Sequence, residues 1–137
     1  MAAFNKFQPF VEAMAEKKHD LGADQLVIAL TNAANPPVTG DGVLADETEI
    51  AYTNLSSRNV TTSSSVQTAG VYKLICADLV LTASGAVAAF RYPIMYNTTA
   101  TNDELIGWWD YLSDLALAAS ETFTIDFDGT GGVLTVT

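Results

Sequence analysis

The sequence predicts a mainly β protein, an antiparallel, jelly-roll-like β-sandwich of about eight or nine short strands with one N-terminal amphipathic helix. Three observations carry that expectation. Short runs rich in Val, Ile, Thr, Tyr and Phe recur along most of the chain, separated by clusters of Gly, Pro, Asn and Asp. Thr122 to Asp128 alternates strictly, setting Phe123, Ile125 and Phe127 on one face and threonines and aspartates on the other, as a half-buried strand does. Helical periodicity is confined to the first stretch. At 137 residues the chain suits one domain, 1–137, with a helix over 4–20 and a sandwich over 24–137.

The elements follow in order. Phe4, Phe7, Phe10, Val11 and Met14 recur at spacings of three and four among Glu12, Glu16, Lys17 and Lys18, the pattern of an amphipathic helix. Asn5 suits its N-cap and Pro9 its first turn, while Lys17, Lys18 and His19 suit its negative end and Gly22 the left-handed residue beyond. Gln25 to Thr31 is an apolar run too short for a helix and reads as a buried first strand before the loop Asn32–Gly42. Further strands are expected at Leu44–Ile50, Ser57–Thr62, Val66–Leu74, Asp78–Thr82, Ala86–Tyr96, Leu105–Tyr111 and Leu115–Ala118. Thr61 to Ser65 is of low complexity and suits a loop or an exposed edge. Gly129-Thr130-Gly131-Gly132 tolerates positive φ, so Thr122–Phe127 and Val133–Thr137 read as a closing hairpin.

Hydrophobic residues make up 49% of the chain and charged residues only 16%, against a usual charged share of roughly 25%. Ala, Thr, Ser, Asn and Gly fill the difference and predict a hydroxyl-rich surface. The net charge of -10, with no basic residue beyond Arg91, opposes binding to nucleic acid or to an anionic membrane surface. No segment offers the roughly 18 apolar residues of a membrane span, and the first residues carry no continuous apolar run, so no signal peptide is expected and synthesis is expected in the cytoplasm. A single cysteine, Cys76, excludes an internal disulfide and a multi-cysteine zinc site.

Catalytic chemistry finds little to use. His19 is the only histidine, and its place at a charged helix end is explained by the helix dipole. Cys76 follows Leu74 and Ile75 in an apolar run, where a free cysteine packs as a small hydrophobe. Asp126-Phe127-Asp128-Gly129 begins like a calcium loop, with Thr130 and Gly131 at the fifth and sixth positions, but Thr137 stands where the bidentate glutamate belongs. The carboxylate groups Asp46/Glu47/Glu49 and Asp103/Glu104 lie in loop-like sequence and read as solvation. No phosphate-cradling glycine motif occurs. The residues therefore predict a non-enzymatic protein with no cofactor and no metal.

The aromatic residues are more informative. Neighbouring residues on a strand face opposite ways, so Trp108 and Trp109 cannot enter the same core. One indole must lie under the helix or a loop, or mark a contact surface, where Trp and Tyr are favoured anchors. Trp108, Trp109 and Tyr111, with Phe7 and Phe10 of the helix, are the candidate interface residues.

The segments Phe4–Leu26 (FNKFxxFVExxAEKKHxLGxDxL), Ala45–Ile50, Thr68–Leu74 (TAGxYKL), Phe90–Asn97 (FRYxxxYN), Leu105–Tyr111 (LIGWWDY) and Glu121–Phe127 (ETFTIDF) resemble, as an ordered set, a group of small structural proteins of tailed bacteriophages and prophages. The likeness spans nearly the whole chain. After the WWDY motif, where a short Gly-Ser turn would be expected, this chain has Leu112-Ser113-Asp114-Leu115. Proteins of this size in that group resemble capsid decoration, or cement, proteins. The resemblance implies a place on the virion capsid surface, binding to the major capsid protein, self-association as a dimer or trimer, and stabilisation of the head. It leaves two alternatives: a tail-tip, fibre-base or head-tail adaptor protein, and a receptor- or glycan-binding module.

Overall fold

The computed structural model describes residues 2–137. Among them nine strands and one short helix follow in the order β1 (Phe4–Lys6), α1 (Pro9–Ala15), β2 (Leu26–Thr31), β3 (Thr62–Thr68), β4 (Val71–Cys76), β5 (Leu79–Thr82), β6 (Tyr92–Asn97), β7 (Leu105–Trp109), β8 (Thr122–Ile125) and β9 (Leu134–Val136). All pairings are antiparallel: a four-stranded sheet β1-β7-β6-β2, a three-stranded sheet β3-β4-β9 and a two-stranded sheet β5-β8. Leu26, Ile28, Leu30, Met95, Ile106 and Trp109 of the first sheet share one apolar cluster with Leu74 and Leu134 of the second and Leu81 and Ile125 of the third. The protein is thus mainly β and sandwich-like, with two smaller sheets opposite a larger one.

The larger sheet is apolar on both faces. Val27, Ala29, Ile94, Tyr96 and Trp108 form a second cluster, closed by Phe7 and Leu44. Every residue of β2, β6 and β7 is buried. That explains why these strands read as continuous apolar runs instead of alternating ones. The two indoles divide as strand geometry requires: Trp109 meets Phe4 and Phe127 on one side, and Trp108 stacks at 4.5 Å on Phe7 on the other. On the Trp109 face position 107 is glycine, where a Cβ would overlap the Phe4 ring and the Asn5 carbonyl.

Several elements depart from the sequence reading, and each departure has a local cause. In place of a helix over 4–20, Phe4–Lys6 pairs with the edge of β7, and α1 begins only at Pro9. Asn5 donates to the Ala3 carbonyl rather than capping the helix, and Lys17 at φ 65°, not Gly22, takes the left-handed position that ends it. Leu44–Asp46 is a 3-10 turn instead of a strand, because the Asp46 carboxylate accepts the amides of Gly42 and Val43 and folds the chain back. Val66–Leu74 holds a hairpin: Ala69 and Gly70, at φ 51° and 81°, make the two-residue turn whose twist suits paired strands. Thr61–Ser65, the low-complexity run, lies largely within its exposed first strand.

Ser57–Thr62 and Leu115–Ala118 contribute single bridges, Asn59 to Val27 and Leu115 to Phe90, and the strand expected from Ala86 begins only at Tyr92. The expected closing hairpin does not form. β8 pairs with β5 and β9 with β4, so the glycine-rich segment carries the chain from one sheet to another. The alternation over Thr122–Asp128 holds, with Ile125 and Phe127 buried, Phe123 half-buried, and the threonines and aspartates outward.

Candidate contact turn and polar latch

Of the five aromatic residues singled out as an interface, Phe7, Phe10, Trp108 and Trp109 are core residues. A partner could reach them only by opening the sandwich, so the contact role does not fall to them. Tyr111 is half-buried, its ring edge-on to Phe123 at 4.9 Å. The exposed feature lies one residue further. Leu112 is 78% exposed and holds a left-handed backbone, φ 71°, in which Cβ crowds the following carbonyl.

The turn bearing Leu112 is tightly held. Arg91 clamps Asp110 with both nitrogens of its fork, Nε to Oδ1 at 2.7 Å and Nη2 to Oδ2 at 2.9 Å. Asp110 Oδ1 also accepts the Leu112 amide at 2.7 Å, and the Arg91 hydrogen bond holds this carboxyl below its ordinary value. On the far side, Asp114 accepts the Ala33 amide at 2.8 Å, and Leu115 exchanges backbone hydrogen bonds with Phe90. An exposed leucine thus projects from a turn fixed at both ends, and the burial of Trp109 anchors the strand that leads into it. The Leu112–Leu115 segment differs from a Gly-Ser turn in side chain while keeping the left-handed conformation that glycine favours.

A second polar arrangement lies where the chain leaves α1. The Asn97 carboxamide is fully buried, and its Oδ1 accepts the amides of Thr99 and Ala100 at 3.0 and 3.1 Å. That orients its amide nitrogen, which donates to Asp24 Oδ2 and to His19 Nδ1, the latter at 3.1 Å. His19 Nδ1 is then an acceptor, so the neutral ring carries its proton on Nε2, a buried atom without a partner. Burial lowers the His19 pKa, against the pull of Glu104 and Asp24. His19 therefore ties the end of α1 to β6, a role the helix-dipole reading missed because α1 stops before it. Its signal in sequence, one histidine and one asparagine far apart, was invisible without the pairing of β6.

This latch borders an open cleft of about 1370 Å³ between the end of α1, the 99–104 loop and β4, with Tyr72 and Val136 on its far wall. The other candidate groups are accounted for locally. Cys76 is buried, and burial pushes its thiol up to about 11, far from a thiolate. Asp128 accepts the amides of Thr130 and Gly131, which hold its carboxyl low and close the turn. Asp46 folds the 3-10 turn, and Glu47 is pushed up to about 7, first by burial and then by Asp41. Among the described residues no cluster of His, Cys, Asp and Glu has the arrangement to hold a metal, and no helix is long and apolar enough to cross a membrane. No family model matches the chain, and no curated protein or solved structure matches it either.

Proposed function

We propose that this is a non-enzymatic structural protein of a phage virion, a decoration or cement protein that binds the outer face of the major capsid lattice and stabilises the head. The resemblance of its ordered motifs to small phage structural proteins supplies the class. The observation that carries the contact is Leu112: a large apolar side chain turned to solvent on a backbone that disfavours it, clamped by Arg91 and Asp110. Backbone strain persists where the surroundings hold it in place, and such positions cluster at functional sites. A rigid knob of this kind suits a shell, where many identical weak contacts add through multivalency and no single strong site is needed. The acidic surface keeps such a module off the packaged nucleic acid.

The test is binding to purified capsid shells, followed by cryo-electron microscopy of the virion. Leu112→Asp is expected to fold as the parent does and to lose most shell binding. Undiminished binding by the folded variant, or density at a single vertex or the tail, would remove the decoration reading, the latter in favour of an adaptor. A second reading rests on the cleft beside His19, whose polar rim and Tyr72 wall suit a receptor or glycan. A glycan array with a signal lost in Tyr72→Ala would favour it.

A further inference from the structure

We propose that two copies of this chain pair through the free edge of β3, in antiparallel register about Val66, to form one continuous six-stranded sheet β9-β4-β3-β3-β4-β9. The inference gives self-association a geometry and does not depend on where the protein works. β3 is one edge of its sheet, hydrogen-bonded only to β4. The two-residue turn at Ala69-Gly70 makes Thr68 and Val71 a hydrogen-bonded pair, and the register then turns the amides and carbonyls of Ser64, Val66 and Thr68 toward β4. Those of Ser65 and Gln67 point away, and no backbone partner among the described residues meets them; the alternation stops at Ser64, where a bulge at Ser63 breaks the register. Antiparallel pairing about Val66 sets Ser65 against Gln67 of the second copy and Gln67 against its Ser65, satisfying these groups with about four backbone hydrogen bonds.

Charge selects a second copy as the occupant. Two molecules of net charge -10 repel wherever their acidic surfaces meet, yet no side chain from Asn59 through Tyr72 is charged. Thr62 to Thr68 holds neither lysine nor proline, and the bulge at Ser63, the one obstacle on this edge, lies outside the residues this register pairs. Around the two-fold axis Val66, 53% exposed, faces Val66 of the second copy on the outer face, and Ser64 faces its Thr68. Hydroxyl and β-branched neighbours across strands are favourable pairs.

Sedimentation over a range of concentrations tests this, with amide exchange as a second readout. The apparent mass should rise from 14.5 kDa to twice that value, with the Ser65 and Gln67 amides protected in parallel. Ser65→Pro removes an outward N–H and leaves the β4 ladder whole, although it also deletes the Ser65–Tyr72 side-chain bond. Gln67→Pro acts at an exposed position and removes the other outward N–H, together with the Gln67–Gly70 side-chain bond. Both variants should melt as single cooperative units and remain at the monomer mass. A wild type that stays monomeric throughout, or doubling retained in both folded variants, would overturn the proposal. So would amide protection that appears only when capsid shells are added, because the edge would then belong to a capsid strand.

Discussion

The four-stranded and three-stranded sheets solve the same problem in opposite ways. β2, β6 and β7 are buried on both faces, wrapped by Phe7 and Leu44 on one side and by the two smaller sheets on the other. β3 and β4 bury Leu74 and Cys76 but turn Val66 and Val71 to solvent, and β3 leaves its edge unpaired. The first arrangement leaves no side chain of β2, β6 or β7 free for a partner and so fixes the shape of the module. The second leaves backbone groups and small side chains available. The closed sheet holds the buried side chains and the open sheet the unpaired edge, so one can be altered without the other.

That division fails first, and most visibly, if the closed sheet is not the source of stability. Trp108→Ala and Trp109→Ala, one on each face, are each expected to cost about 3–5 kcal/mol in denaturant unfolding. Val66→Ser in the open sheet should shift stability by no more than about 0.5 kcal/mol. A Trp108 variant as mild as the Val66 one would mean that the second face is not a true core.

A smaller effect is expected at the latch on the end of β6. Asn97→Ala strips the acceptor from the part-buried amides of Thr99 and Ala100, at about 1–3 kcal/mol in total. A loss below this range in urea melts would mean that water replaces the carboxamide.

Smaller still is the pH response of His19. Because its folded pKa lies below 6.5, the unfolded chain takes up the proton first. Its contribution is complete above pH 6.5 and declines as the pH falls toward the folded value, where a protonated Nδ1 can no longer accept from Asn97. Glu47 acts in the opposite sense: its pKa is raised from 4.5 to about 7, so its contribution is present at low pH and is lost as pH rises through that interval. Thermal melts of His19→Gln and the parent, compared from pH 7 down to 4.5, separate the two. The variant should lose the acid-side decline and keep the Glu47 trend. Parallel curves would show that Asn97 does not sense the ring's charge.

The candidate contact surface was only half legible. The WWDY motif adjoins an exposed turn, but its tryptophans are buried and Leu112 is what projects. No composition rule marks a leucine as exposed. Its display depends on Arg91, which lies on the stretch leading into β6 and meets Asp110 only after β6 and β7 pair. The Thr61–Ser65 run was recognised as an exposed edge or loop, while the absence of a neighbour at that edge follows from sheet order alone.

What the sequence determined by itself is the set of surfaces each segment must bury: the β class, the opposed indoles, the alternating face of Thr122–Asp128 and the apolar runs of β2, β6 and β7. Period and hydrophobicity act over a few residues, so they are readable in order along the chain. Tertiary structure alone decided which strands pair. It drew Phe4–Lys6 out of a helix onto β7, and it sent β8 and β9 to different sheets across a segment that looked like a hairpin turn. Backbone hydrogen bonds are alike at every residue, so their partners are chosen by which apolar faces fit together, and that choice is made between segments distant in sequence.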